Sequence, residues 1–255
     1  MSKLARQPET GTGGLQLDLA RRLVAEALGT GLLLVAVIGS GVMASRLSPN
    51  DVGLQLLENA AATAGALVGL IWMFGAVSGA HFNPAVTLVD RAFGAIGTRD
   101  ASLYIAAQIV GGCLGTIIAN LMFELSAIDV SNKARSSGGL WLSEVVATVG
   151  LLLVIHGCVR TGRANVVAVA VGVWIGGAYF FTSSTSFANP AVTIGRAFSD
   201  TFAGIAPSSV PGFIAFQLIG AVVGVGLLAL LYPTAGRAAD DVVTPHADTT
   251  AGATS

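Results

Sequence analysis

The feature that most constrains this chain is the placement of its charges. Long stretches carry no acidic or basic residue: between Glu58 and Asp90, Asp100 and Glu124, Arg163 and Arg196, and Asp200 and Arg237. Each is long enough to cross a bilayer, for which a helix needs about 20 largely apolar residues. Across 255 residues only 11% are charged and 53% are hydrophobic, against about 25% charged in ordinary soluble domains. A buried helical core in a soluble enzyme would need amphipathic helices with a charged outer face around it, and no such pattern is visible. The chain therefore reads as an all-α membrane protein. Its 13 basic and 14 acidic residues nearly cancel, without a basic block or interleaved aromatics, which excludes nucleic acid as a partner.

Long apolar helices are predicted at about 20 to 45, 57 to 79, 101 to 123, 140 to 160, 164 to 184 and 211 to 233. Two further apolar pieces, starting at Asn83 and Asn189, are too short to span. Residues 1–18 are polar and Gly-rich and lack the apolar centre of a secretory signal, so a flexible tail is expected there and the first span is expected to stay in the mature protein. Residues 234–255 are small and polar and are expected to be disordered, leaving 19–233 as the membrane domain. With six spans both termini share a side. Nine of the 13 Lys and Arg fall on that side, against Arg46, Lys133, Arg135 and Arg196 on the other, which places both termini in the cytoplasm.

The chain also repeats itself. Three spans with a short piece after the second (20–123) are followed by three more arranged alike (140–233), opening on "AEALGTG" and "SEVVATVG". Three is odd, so the two copies cross the membrane in opposite directions. Interrupted segments at matching places in inverted halves point to a substrate path. Both short pieces begin Asn-Pro-Ala: Asn83, Pro84, Ala85 and Asn189, Pro190, Ala191. Asn serves as helix N-cap, and Pro at the first helical position lacks an N–H that would have no partner anyway. Two such helices entering from opposite faces bring their positive ends together near the mid-plane. Non-helical backbone at that depth is tolerated only where it is buried in protein or lines a cavity. The loops "SGAH" and "TSSTSFA" are thus expected to expose carbonyls along a pore.

One such tripeptide is a weak signal; a pair at equivalent places in an inverted repeat is a strong one. Over about residues 20 to 233, through "AEALGTG", "SGAHFNPAVTL", "SEVVAT" and "SFANPAV", the sequence resembles the aquaporin, or major intrinsic protein, family of membrane channels. The resemblance implies six transmembrane helices plus two re-entrant half-helices, a homotetramer in the lipid bilayer with one pore per protomer, and passive conduction of small neutral solutes without cofactor, metal or catalysis. It makes Glu26 and Glu144 the carboxylates that hold the re-entrant loops, although ionisable groups within spans also suit a proton relay. His81, at the cytoplasmic mouth, suits loop anchoring or pH gating. His156 reads as a satisfied core histidine, and Cys113 and Cys158, lacking any paired spacing, as packing residues.

Most members of that family carry Arg directly after the second Asn-Pro-Ala; here it is Val192. Counted along the matched motifs without gaps, the rest of the selectivity constriction falls on Thr63, Gly177 and Ser186. That ring is expected to be wide, with only hydroxyls and carbonyls as polar groups. Arg196 lies four residues beyond Val192, one turn on and about 40° round a helix. It is either an outer-vestibule residue or, like Asp90 seven residues after Asn83, an exposed charge at a helix end. A wide uncharged ring suits glycerol, urea or arsenous acid, and a bacterial branch that looks like this chain is associated with arsenite-type substrates. A bacterial inner membrane is expected. The rivals are a water-selective channel, a secondary active transporter, which needs a coupling-ion site, and a non-conducting scaffold.

Overall fold

The computed structural model describes residues 12–233, with side-chain surroundings from residue 18 onward. Eight α-helices follow in order: α1 (Thr12–Leu47), α2 (Val52–Ser78), α3 (Pro84–Phe93), α4 (Thr98–Met122), α5 (Gly138–Arg160), α6 (Val167–Phe181), α7 (Pro190–Gly195) and α8 (Val210–Leu231). Six stretches are long and apolar enough to cross a membrane, from Asp18–Leu47 to Pro207–Leu231. The expected spans therefore stand, with ends shifted by a few residues where caps decide them. Asp51 starts α2 by accepting from the Leu54 N–H, and Ser137 starts α5 by accepting from Leu140. Helix α1 begins at Thr12, so residues 12–18 are helical where a flexible tail was expected. The remainder of that tail and all of 234–255 lie outside the described residues.

Helices α3 and α7 are the two short pieces. At about 1.5 Å per residue, the ten residues of α3 reach about 15 Å, half of a hydrocarbon core of about 30 Å. Helix α7 is shorter and continues through a 3₁₀ turn, Arg196–Phe198. Each begins at its Asn in the middle of the molecule and runs back to the side from which its loop entered. The side holding the start of α1 and the end of α8 is called here the terminus side. Helix α3 returns to that side and α7 to the opposite one.

The inverted repeat is visible in the packing. Helix α1 crosses α4 and α5 crosses α8, while α2 and α6 meet between the halves. The crossings are close because glycine removes the side chain at the contact. A Cβ on Gly111 would lie 2.1 Å from the Ala27 carbonyl oxygen, and one on Gly115 would lie 2.0 Å from that of Gly31. Gly220 and Gly224 occupy the matching places on α8 against α5, where a Cβ would meet Thr148 and Leu152 at 2.9 Å each. Without a hydrophobic drive between helices in lipid, such close backbone packing supplies much of the association energy. The outward faces carry exposed apolar residues, among them Leu28, Val110, Leu114, Val173, Val222 and Leu230, as a lipid-facing surface requires. The segment joining the halves lies over the end of α7, with Ser131 N–H on the Ala197 carbonyl at 3.0 Å and Asp129 N–H on Phe198 at 3.1 Å.

These contacts set an expectation for stability. Gly115→Val should force α1 and α4 apart and cost several kcal/mol, as overpacking against backbone does (about 1–3 kcal/mol or more). Gly226→Ala, where nothing lies within 4 Å, should be silent. Gel filtration and thermal unfolding in detergent check this, and equal behaviour of the two variants would contradict the crossing described.

Candidate functional site

The two Asn-Pro-Ala segments meet at the centre and complete one another. Asn83 caps α3 through the Ala85 N–H at 2.9 Å, and Asn189 caps α7 through Ala191 at 3.0 Å and Val192 at 3.2 Å. Each side-chain amide then crosses to the other half: Asn83 Nδ2 donates to the Ala188 carbonyl at 2.7 Å, and Asn189 Nδ2 to the Phe82 carbonyl at 2.8 Å. An amide nitrogen has two hydrogens, so one on each Asn remains for a solute in the adjoining cavity.

The loops ahead of the caps are strained. Ala80 and Phe82 in the first, and Thr185, Ser186 and Ala188 in the second, have φ between 48° and 64°, a left-handed conformation that non-glycine residues adopt at a cost of about 1–3 kcal/mol each. A carboxylate holds each loop in place. Glu26 accepts from the His81 N–H at 3.0 Å and the Phe82 N–H at 2.8 Å, and Glu144 from Phe187 at 3.0 Å and Ala188 at 2.9 Å. A glutamine steadies each carboxylate, Gln108 at 2.8 Å and Gln217 at 2.6 Å. Each glutamine also donates to a threonine on the half-helix, Thr87 at 3.0 Å or Thr193 at 2.9 Å. That threonine in turn donates to the carbonyl of its own Asn. The two sets match member for member, which gives the molecule its pseudo-twofold axis. Both glutamates are fully buried, and their bonds are those of loop supports.

A narrow conduit runs through this centre, with a cavity volume of about 70 Å³. Its lining includes both asparagines, His81, Thr63, Ser186, Val192 and Arg196, and its remaining walls are chiefly apolar. Three of the four expected constriction residues thus line it. Gly177 does not: it is exposed, and a Cβ there would meet only Phe181 of the same helix. The wall of α6 is formed instead by Val171, Ile175 and Tyr179 at four-residue spacing, so ungapped counting placed the ring residue two positions early. Tyr179 was not among the expected residues. Its hydroxyl lies 3.1 Å from Thr63 Oγ1, so an aromatic stands on the wall beside the hydroxyls that were expected there.

Arg196 and Asp90 also correct the expectation of exposed charges, being 2% and 1% exposed. The Arg196 guanidinium carbon sits 3.4 Å from the centroid of the Phe187 ring, and its Nε donates to the Ala203 carbonyl. It lines the conduit one turn beyond Val192, toward the opposite side. Two residues that sequence reasoning left aside stand near it. Arg135 Nε donates to the Gly204 carbonyl at 2.9 Å, and Lys133 Nζ to Phe202 at 2.7 Å. Burial, helped by Arg135 and Arg196, pulls the Lys133 ammonium down to about 8. On the terminus side, His81 Nε2 lies 2.9 Å from Asp90 Oδ2. His156, expected to be a satisfied core histidine, has its Nε2 3.6 Å from Asp90 Oδ1 and no hydrogen-bond partner.

Paired half-helices around a conduit, within six membrane-length helices, define a membrane channel for small neutral solutes. A family model described as "Major intrinsic protein" matches residues 15–182 and 160–254. Over 216 residues, 85% of this chain and 92% of the relative, the sequence is 49% identical to aquaglyceroporin AqpS of Rhizobium meliloti (strain 1021). A probable NIP-type aquaporin of Nicotiana alata is 32% identical over 187 residues, 70% of this chain and 67% of its own. The X-ray structure of the aquaglyceroporin from Plasmodium falciparum shares the fold, with a TM-score of 0.65 and 20% identity over 85% of this chain and 98% of that one. The chain belongs to the major intrinsic protein family and is an integral membrane protein.

The crossed amides predict the effect of a single-atom change. Asn83→Asp replaces the donor to the Ala188 carbonyl by an oxygen at about the same 2.7 Å, which repels it and places a charge where water is scarce. Neutral-solute flux through Asn83→Asp and Asn189→Asp should fall and a cation leak should appear, read by stopped-flow light scattering and by liposome electrical recording. Unchanged flux and selectivity in both correctly assembled variants would refute the paired-cap reading.

Proposed function

We propose that the channel conducts small neutral solutes rich in hydroxyls, with arsenous acid and glycerol as its substrates, and that Val192 determines this choice. The carrying observation is the ring itself. Val192 stands on the conduit wall where the family resemblance implies arginine, while Thr63, Tyr179 and Ser186 supply hydroxyls around it. A trihydroxy acid that keeps its protons at pH 7 needs hydrogen-bond partners and no counter-charge. The positive ends of α3 and α7 turn cations away without opposing such a solute. The relative named as an aquaglyceroporin, at 49% identity, supports glycerol as one substrate. In this proposal the positive charge sits at Arg196, a turn outward of the ring, so size and charge are sorted at different depths. Conduction is passive and no chemistry is performed. The protein works as a homotetramer in a bacterial inner membrane with both termini in the cytoplasm, which makes the terminus side cytoplasmic and the Arg196 end outer. A tail before α1 and another after α8 complete the proposed organisation.

One observation favours a second reading, a water-selective channel: the hydroxyls of Tyr179 and Thr63 already touch at 3.1 Å, which narrows the ring. One experiment separates the two readings. Val192→Arg adds a fixed planar cation, and arsenite and glycerol flux into proteoliposomes should fall roughly tenfold, about 1.4 kcal/mol of barrier, while water permeation persists. If the unsubstituted protein passes water and excludes glycerol and arsenite, the water-selective reading holds. If the arsenite-to-water ratio is the same in both proteins, Val192 is not the determinant.

A further inference from the structure

Three cations meet at the mouth of the conduit opposite the terminus side. Each donates to one of three successive carbonyls: Lys133 Nζ to Phe202, Arg196 Nε to Ala203 and Arg135 Nε to Gly204. That turn gathers side chains from two separate places, the segment joining the halves and the end of α7. Both guanidiniums lie against the Phe187 ring, Arg196 at 3.4 Å from its centroid and Arg135 at 5.1 Å. Burial, and after it the charge of the two arginines, pulls the Lys133 ammonium down to about 8. Like charges gathered where water is scarce are costly without a counter-charge. Among the described residues none of the three forms a salt bridge. Two carboxylates act on the cluster from nearby, and both are engaged elsewhere. Asp200 accepts from the Asn132 N–H at 3.0 Å and from its side-chain amide at 3.1 Å, and Glu144 holds the Phe187 and Ala188 N–H groups.

The donors left over are many. Arg196 is 2% exposed and lines the conduit, yet among the described residues its side chain is bonded through Nε alone, so both terminal nitrogens remain free to donate. The Arg135 side chain is 9% exposed and likewise bonded only through Nε, and Lys133 spends one of its three ammonium hydrogens. We propose that Lys133, Arg135 and Arg196 form a binding site for a tetrahedral oxyanion such as inorganic phosphate, and that an ion held there obstructs the conduit. Four oxygens around one centre suit donors that converge from different sides, and a guanidinium fork takes two of them at about 2.8 Å. Stacking on one ring keeps both guanidiniums within reach of a single such ion, which a monatomic halide is too small to span. The ion supplies the missing counter-charge. It rests on the Arg196 nitrogens that face the conduit, so ion and solute exclude one another in so narrow a passage. The other mouth has no such cluster, since Asp90 stands seven residues after Asn83 where Arg196 stands seven after Asn189.

The site goes beyond the solute assignment and rests on the channel only for its flux readout. Isothermal titration calorimetry of the purified protein in detergent, with phosphate against chloride at equal ionic strength, should show saturable binding of phosphate alone. Glycerol and water flux into phosphatidylcholine proteoliposomes, followed by stopped-flow light scattering, should fall about threefold when phosphate reaches twice its Kd, where two-thirds of the sites are filled. Lys133→Gln removes the charge and keeps a donor for the Phe202 carbonyl, and Arg135→Gln removes the fork beside Phe187. Each should weaken phosphate binding roughly tenfold, as losing one charged hydrogen-bond partner does. Arg163→Gln, on the terminus side, should leave the affinity unchanged. Absence of phosphate binding, or the same affinity in both cluster variants as in the unsubstituted protein, overturns the proposal; if Arg135→Gln does not assemble, Lys133→Gln decides. Binding that leaves both fluxes unchanged overturns it as well. Flux that follows the phosphatidylglycerol content of the vesicles and ignores phosphate gives the site to a lipid headgroup, which also overturns it. If water passes and glycerol never does, the solute assignment fails, while calorimetry and the effect of phosphate on water flux still decide the anion site.

Discussion

Everything in this molecule depends on two carboxylates that face backbone where there is no water. A re-entrant loop at mid-membrane exposes N–H and C=O groups that lipid cannot satisfy, each at a cost of several kcal/mol. Glu26 and Glu144 each take up two of those N–H groups. In doing so they hold the left-handed residues beside them, and the freed carbonyls turn toward the conduit or toward the opposite asparagine. A buried carboxylate is itself expensive unless hydrogen-bonded throughout. Gln108 and Gln217 meet that requirement and tie each carboxylate to the half-helix it serves. Caps, loops and conduit are consequences of this arrangement.

Much of it was legible in the amino-acid sequence, because the strongest signals are local. Charge-free stretches mark the spans; Asn followed by Pro marks a helix start; and two glutamates at matched places in inverted halves have few other uses inside a membrane. What failed had to be carried through space or across a gap. Gly177 was reached by counting along the matched motifs without gaps, and the count fell on a residue that faces away from the conduit. The four-residue rhythm of Val171, Ile175 and Tyr179, continuing an apolar face, was the signal that pointed to the residue on the wall. The sequence left Arg196 between an outer-vestibule residue and an exposed charge, and made Asp90 an exposed charge, because the partners that bury them, His81 and Phe187, are visible only once each loop folds back beside its half-helix. His156 needed a contact with Asp90 from the half-helix α3, which no periodicity reports.

The two halves share one plan and differ in charge. At the places matched by the repeat, one half has histidine and aspartate and the other phenylalanine and arginine. One end of the conduit therefore holds an imidazole against a carboxylate and the other a guanidinium stacked on a ring. Repeated geometry gives a symmetric path, and these four side chains make its two ends chemically unlike.

The crossed amides also bear on how the chain is made. Asn83 reaches a carbonyl at residue 188 and Asn189 one at residue 82, so neither half contains the acceptor for the amide of its own capping asparagine. As synthesis proceeds from the N-terminus, the first three spans are inserted with a donor and an acceptor at their centre still open. They stay open until the polypeptide has grown by more than a hundred residues. The first half thus carries its own helix packing and loop support from the start, while its central amide and carbonyl wait for the second half to meet them.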